Sequence, residues 1–148
     1  MDDQKLKQFI DQYATVYLAA VKKLERKLVD EALPVSLEQF GILRVLYNKE
    51  KAAAKDIAEE VDVHKSAVST KLNRLEKEGL IRRSLDEKDR RSRAVVLTEK
   101  GKDVFHQCEQ ATASFIEPII QDLTEEEWHT FLRVYEKLSR RLSEGDEE

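Results

Sequence analysis

A chain of 148 residues with 41% apolar and 38% charged residues, four Gly and two Pro suits one compact domain, or a small module with an appended oligomerisation element, and leans towards helix. It has no apolar run near the roughly 20 residues of a membrane span, and its Met1-Asp2-Asp3-Gln4 start is unlike a secretion signal, so a cytoplasmic protein is expected. The lone Cys108 excludes an intrachain disulfide and a cysteine-based metal cluster, and the formal charge of −4, taken alone, speaks against nucleic acid.

In chain order, Leu6, Phe9, Ile10, Tyr13, Tyr17, Ala20, Val21, Leu24 and Leu28 recur every three or four residues. This predicts one long amphipathic helix of about eight turns, stopped by Pro34. Ser36 with Gln39 three residues on is a capping box, and Leu37, Phe40, Leu43, Leu46 and Tyr47 give the helix behind it an apolar face. A polar turn over 48–51 leads to a short helix with Ile57, Ala58 and Val61 inward. The next helix is expected over 65–78, closed by Gly79.

After Gly79 the period changes from 3.6 to 2, so 80–84 and 93–97 read as paired strands around a charged hairpin loop. A long helix follows Thr98, with Val104, Cys108, Ala111, Phe115 and Ile119 on one stripe and a bend or fray at Pro118. Thr124 and Glu127 form a second capping box before Trp128, Phe131, Leu132, Tyr135, Leu138 and Leu142. The acidic tail over 143–148 is expected to be flexible. The fold expected is mainly α with a small β-hairpin wing: a winged helix-turn-helix domain plus a helical dimerisation region. The boundaries are an N-terminal dimerisation helix over 1–34, the winged domain over 35–98 and dimerisation helices over 99–142.

Charge is uneven along this order. Residues 63–93 hold ten Lys and Arg against five Asp and Glu, a local +5 on a chain whose remainder carries −9. Fields act over about a Debye length, roughly 8 to 10 Å, so a basic segment attracts phosphate whatever the total. In the 65–78 helix Ala67, Val68, Leu72 and Leu75 share the inner face, and Ser66, Ser69, Thr70, Asn73 and Arg74 the outer one, with Lys65 and Lys71 flanking. Short hydroxyls allow close approach to a major groove, where Asn73 could read adenine or a phosphate and Arg74 guanine or a phosphate. At the hairpin tip Arg90 and Arg91 suit a minor groove, and Asp89 could orient Arg91 through a charge-assisted bond.

The run Ile57-Ala58-x-x-Val61-x-Val63-x-x-Ser66-Ala67-Val68-Ser69, then Leu75-Glu76-x-x-Gly79-Leu80-Ile81-x-Arg83, Asp89-Arg90-Arg91-Ser92 and Leu97-Thr98-x-x-Gly101 resembles the MarR family of bacterial regulators. The resemblance implies a homodimer in which the first and last two helices of both chains pack together and hold two winged lobes over successive major grooves. It puts the recognition helix at 65–78, the wing at 85–93, Arg91 at the minor-groove position and Asp89 as its orienting partner. It further implies binding to double-stranded DNA at a pseudo-palindromic operator, usually as a repressor that a ligand or oxidant releases. A small aromatic ligand at the junction of dimer region and lobe would meet Tyr13, Tyr17, Tyr47 and Trp128, which read first as ordinary core packing.

Oxidation sensors of that family carry their thiol in the first helix, where this chain has none; Cys108, on an apolar stripe, reads as a small hydrophobe. His64, His106 and His129 are scattered, so neither a metal nor any other cofactor is expected. No phosphate loop, activated serine or acid–base pair marks an enzyme. The rival reading is a winged-helix protein–protein scaffold, which the acidic net charge favours and Asp89-Arg90-Arg91 disfavours.

Overall fold

The computed structural model describes residues 2–61, 65–85 and 93–145, with the backbone alone for Lys65 and Leu85. The elements run α1 (Asp3–Asp30), α2 (Leu37–Lys49), β1 (Ala52–Ala53), α3 (Ala54–Val61), α4 (Lys65–Lys77), β2 (Ile81–Leu85), β3 (Arg93–Leu97), α5 (Glu99–Ile120) and α6 (Glu125–Glu144). The expected class is therefore observed: helices, with a small antiparallel sheet of order β1-β3-β2.

Both predicted capping boxes form. Ser36 and Gln39 exchange bonds of 3.2 and 2.9 Å at the start of α2, and Thr124 and Glu127 exchange bonds of 3.2 and 2.8 Å at the start of α6. α1 ends differently from expectation. Its stop is a Schellman turn, with Leu33 N–H donating to Leu28 O and Ala32 N–H to Val29 O, and Ala32 in the left-handed region at φ 54°. The chain has already turned before Pro34 is reached. α4 closes the same way, Leu80 N–H to Leu75 O and Gly79 N–H to Glu76 O, with Gly79 at φ 76° as expected. α5 carries Pro118 within its last turn and ends two residues later.

β1 was not foreseen. Ala52 and Ala53 lack any β-branched or aromatic signal, and they become a strand because β3 offers its free edge, pairing Ala52 with Val95 and Ala53 with Ala94. On the other side β3 pairs with β2 from Ile81↔Leu97 to Leu85↔Arg93.

The residues up to Thr112 form one compact unit. Its core gathers Phe40, Ile42, Leu43 and Leu46 of α2, Ile57 and Ala58 of α3, and Val68, Leu72 and Leu75 of α4 with Ile81, Val95 and Leu97 of the sheet. The inner faces expected for α2, α3 and α4 are borne out in Phe40, Leu43, Leu46, Ile57, Ala58, Val68, Leu72 and Leu75, whereas Leu37, Val61 and Ala67 are only half-buried and Tyr47 is exposed. From α5 come Val104, Phe105, Cys108 and Ala111, and from α1 only Leu28. Phe105, fully buried, lay outside the stripe predicted for α5; it stacks on Tyr47 at 4.4 Å and meets Phe40 at 5.8 Å. Each buried Leu or Phe contributes about 1.5–3 kcal/mol, so this small core holds α4 by its whole apolar face.

Residues from Ala113 onward form a second unit, containing α6. In α6 no residue is buried: Phe131, Leu132, Tyr135, Leu138 and Leu142 all stand exposed. Along α1 the same holds for Leu6, Phe9, Ile10, Tyr13 and Tyr17. Tyr13 and Tyr17, read first as core residues, are 58% and 54% exposed and continue a stacked ladder from Phe9, with ring centroids 6.1 and 5.8 Å apart. The period placed these side chains correctly on one stripe of each helix, and among the described residues of its own unit each stripe stands exposed.

Gly101 sits where α5 leaves the sheet. A Cβ there would fall inside contact distance of the Leu80 carbonyl oxygen and meet Leu97 Cδ2 at 3.3 Å, and neither backbone can give way cheaply. Gly101→Ala should therefore lower stability by about 1–3 kcal/mol, despite the roughly 1 kcal/mol that Ala gains in a helix, as read from urea unfolding midpoints. Burial, with a smaller contribution from Glu31, raises the Cys108 thiol to about 11. A raised thiol pKa gives stability that is complete below the unfolded value of about 8.5 and lost as pH climbs towards the folded one. Native protein at pH 8 should resist iodoacetamide and react once unfolded, and the decline in stability between about pH 8.5 and 11 should be shallower in Cys108→Ala.

Candidate nucleic-acid interface

The outward face of α4 is the site the sequence singled out. With Val68, Leu72 and Leu75 fully buried, helical spacing turns Ser66, Thr70 and Asn73 to solvent, and all three are exposed. Arg74 is exposed beside them and Ser69 is half-buried at the edge. Lys77 belongs to the same stripe at i+4 from Asn73 and is exposed. Sequence reasoning passed over it, although the spacing Ser66, Thr70, Asn73, Lys77 already carried the signal.

Several of these side chains are committed to local partners. Thr70 Oγ1 donates to Ser66 O at 3.2 Å, which uses the hydroxyl hydrogen and leaves an acceptor oxygen and a methyl group facing out. Arg74 Nε donates to Glu78 Oε1 at 3.3 Å, and its side chain is otherwise 73% exposed. Arg83 of β2 donates from Nη2 to Asn73 Oδ1 at 2.9 Å, so Asn73 is not the free amide the sequence suggested. Lys71, expected as a flanking cation, instead pairs with Glu38 of α2 at 3.0 Å. That pair fastens the middle of α4 to the start of α2, while Lys49 and Glu60, 2.8 Å apart, fasten α2 to α3.

The strands carry further exposed cations, Arg82 on β2 and Arg93 on β3. Asp89, Arg90 and Arg91 lie outside the described residues, as do His64 and the side chain of Lys65. The C-terminal end of α4 is tied to the start of α5. Thr98 Oγ1 donates to Gly79 O at 2.6 Å and accepts from Gly101 N–H at 3.0 Å, and Lys100 Nζ donates to Glu78 O at 2.9 Å. A polar face on a helix clamped at its middle and its end can be offered to a groove as a rigid body.

Other chemistry finds less. Among the described residues no three His, Cys, Asp or Glu side chains gather in a metal-ligand cluster, and no helix is long and apolar enough to cross a membrane. His106 meets the edge of Tyr47, and His129 is 3.7 Å from Glu125. A cleft of about 430 Å³ between α2, α3 and α4 has Ile42, Val45 and Val61 in its lining and the two ion pairs Lys49–Glu60 and Lys71–Glu38 on it. None of Tyr13, Tyr17, Tyr47 or Trp128 lines it.

Comparison with known proteins places this geometry. The profile of the MarR family matches residues 35–92. An uncharacterised helix-turn-helix type transcriptional regulator of Bacillus subtilis (strain 168), YwhA, is 36% identical over 141 residues, 95% of this chain and 100% of that one. The crystal structure of the transcriptional regulator BldR from Sulfolobus solfataricus superposes with a TM-score of 0.77 at 26% identity, covering 95% of this chain and 99% of BldR. A mutant MarR from E.coli complexed with operator DNA shares the fold at a TM-score of 0.71 and 22% identity, over 87% of this chain and 94% of that one.

Proposed function

The chain belongs to the MarR family of winged-helix transcriptional regulators, which are not enzymes, and on that premise we propose that it binds an operator as a homodimer, with α4 in the major groove and the 85–93 wing in the minor groove. One observation carries the reading: Ser66, Thr70, Asn73 and Lys77 form an exposed polar stripe on a helix whose opposite face is fully buried. Ser66, Ser69 and Thr70 would meet base edges, and Lys65, Arg74 and Lys77 phosphates. Arg90 and Arg91 would enter the narrow minor groove, with Asp89 holding Arg91. Two-fold symmetry asks for half-sites about one helical turn, roughly 10 base pairs, apart.

The exposed apolar faces of α1 and α6 support the dimer. Phe9, Tyr13 and Tyr17 on one helix and Phe131, Tyr135 and Leu138 on the other are large apolar side chains exposed along one stripe each, the kind of surface a partner chain covers. The same reading makes the protein a cytoplasmic repressor released by a small aromatic ligand. The cleft between α2, α3 and α4 is where such a molecule could act on α4 through the Lys71–Glu38 pair.

Genomic fragments bound by the protein should yield a pseudo-palindrome whose affinity falls steeply with salt, on the order of a thousandfold between 50 and 200 mM. Arg91→Ala should weaken it about ten- to a hundredfold while leaving the dimer intact. A protein that dimerises but ignores duplex DNA at every salt concentration would be a scaffold, and the reading would fail. Sedimentation of Leu138→Glu should show monomer where the parent is dimer; an unchanged dimer would remove α6 from the interface.

A further inference from the structure

We propose that Arg83 is a specificity-determining residue that locks the Asn73 amide in one of its two flip states, so that α4 distinguishes A·T from T·A at one position of each half-site. The inference rests on the reading that α4 enters the major groove.

Arg83 is the rigid member of the pair. It shares the inward side of β2 with Ile81, lies opposite Val95 in the sheet, and its Nε is buried. Only the guanidinium end reaches Asn73, which stands exposed in the middle of the polar stripe. A guanidinium has donors alone, so the amide atom facing it at 2.9 Å must be oxygen. A free amide could turn over and exchange Oδ1 with Nδ2 at little cost. Here that exchange would set an NH₂ against a guanidinium and lose a charge-assisted bond.

The consequence follows from the edge of adenine. In the major groove adenine offers its N7 acceptor beside its N6 donor, and an asparagine amide matches both at once. Reversing the pair to T·A puts the thymine methyl and O4 acceptor where N7 and the N6 donor stood. An amide free to flip turns its NH₂ towards O4 and keeps one bond. A locked amide cannot. Arg83 takes one lone pair of Oδ1, leaving the second lone pair and the Nδ2 hydrogens in a fixed order.

The experiment begins with selection of duplexes from a random pool by the full-length protein. Affinities are then compared for the selected operator and for the same operator with single A·T pairs inverted. The parent protein should prefer one orientation on the order of tenfold at the position that Asn73 reads. Arg83→Met should reduce that preference to about threefold, because a freed amide keeps one bond to the inverted pair, whereas Arg83→Lys, which keeps a donor and the charge, should retain most of it. Asn73→Asp keeps the Arg83 contact but offers acceptors only, and should shift the preferred base there to cytosine. That variant tests whether position 73 reads the base; Arg83→Gln, whose amide accommodates either flip of Asn73, tests the lock even if Arg83→Met does not fold. The inference is overturned if Arg83→Met keeps the full preference, or if the Asn73 and Arg83 variants weaken every sequence equally, as a strut between helix and strand would. A parent protein that selects no duplex at all overturns the DNA-binding reading instead.

Discussion

The peptide linking Gly79 to Leu80 is the point on which the winged unit turns. The C-terminal turn of α4 bonds to it, and Thr98, between β3 and α5, bonds to it and to the adjoining Leu80 carbonyl. Leu80 N–H closes α4 on Leu75 O, Leu80 O receives Thr98 N–H at 3.1 Å, and Gly79 O receives the Thr98 hydroxyl. The approach is so close that a Cβ at position 101 would press on the Leu80 carbonyl. Three hydrogen bonds meet in one place, and any shift of α4 along its axis would break several of them at once. The direction in which the polar stripe faces is therefore set by this knot as much as by the hydrophobic core.

From that knot outward, stiffness falls off towards the solvent side of α4. Val68, Leu72 and Leu75 are held in a dense core, Lys71 is tethered to α2, and Asn73 is tethered to β2. Ser66, Thr70 and Lys77 have no such anchor to another element among the bonds described. A helix so held would meet a groove at small entropic cost, because its pose exists before binding. Charge then acts on a prepared surface. The acidic excess elsewhere keeps other faces away from phosphate, and the basic segment is confined to the helix and hairpin.

Much of this was legible in the residues. Both capping boxes, the Gly79 stop, the two longer strands and the inner face of α4 follow from local rules, because each depends on side chains within four positions or on an alternation of period two. The candidate interface was legible in outline for the same reason: a helix with a buried stripe must show its other face. Three features escaped. β1 consists of two alanines that pair only because β3 needs a neighbour. Phe105 stands off its helix's stripe and is buried by Tyr47 and Phe40 arriving from α2. Ala32 ends α1 in a conformation that glycine usually takes, so no local signal marked the stop ahead of Pro34.

The sequence by itself determined the inner face of α4, where α2 and α6 begin, and that residues 63–93 carry the positive charge, since periodicity, capping and charge are local properties. Only the tertiary structure decided which outward side chains remain free to bind. Lys71 and Asn73 look equivalent to Lys77 and Thr70 along the chain, yet Glu38 and Arg83, from elements far apart in sequence, claim the first two. A partner 33 residues before Lys71, or ten after Asn73, lies beyond any helical period. Folding alone brings it within 3 Å.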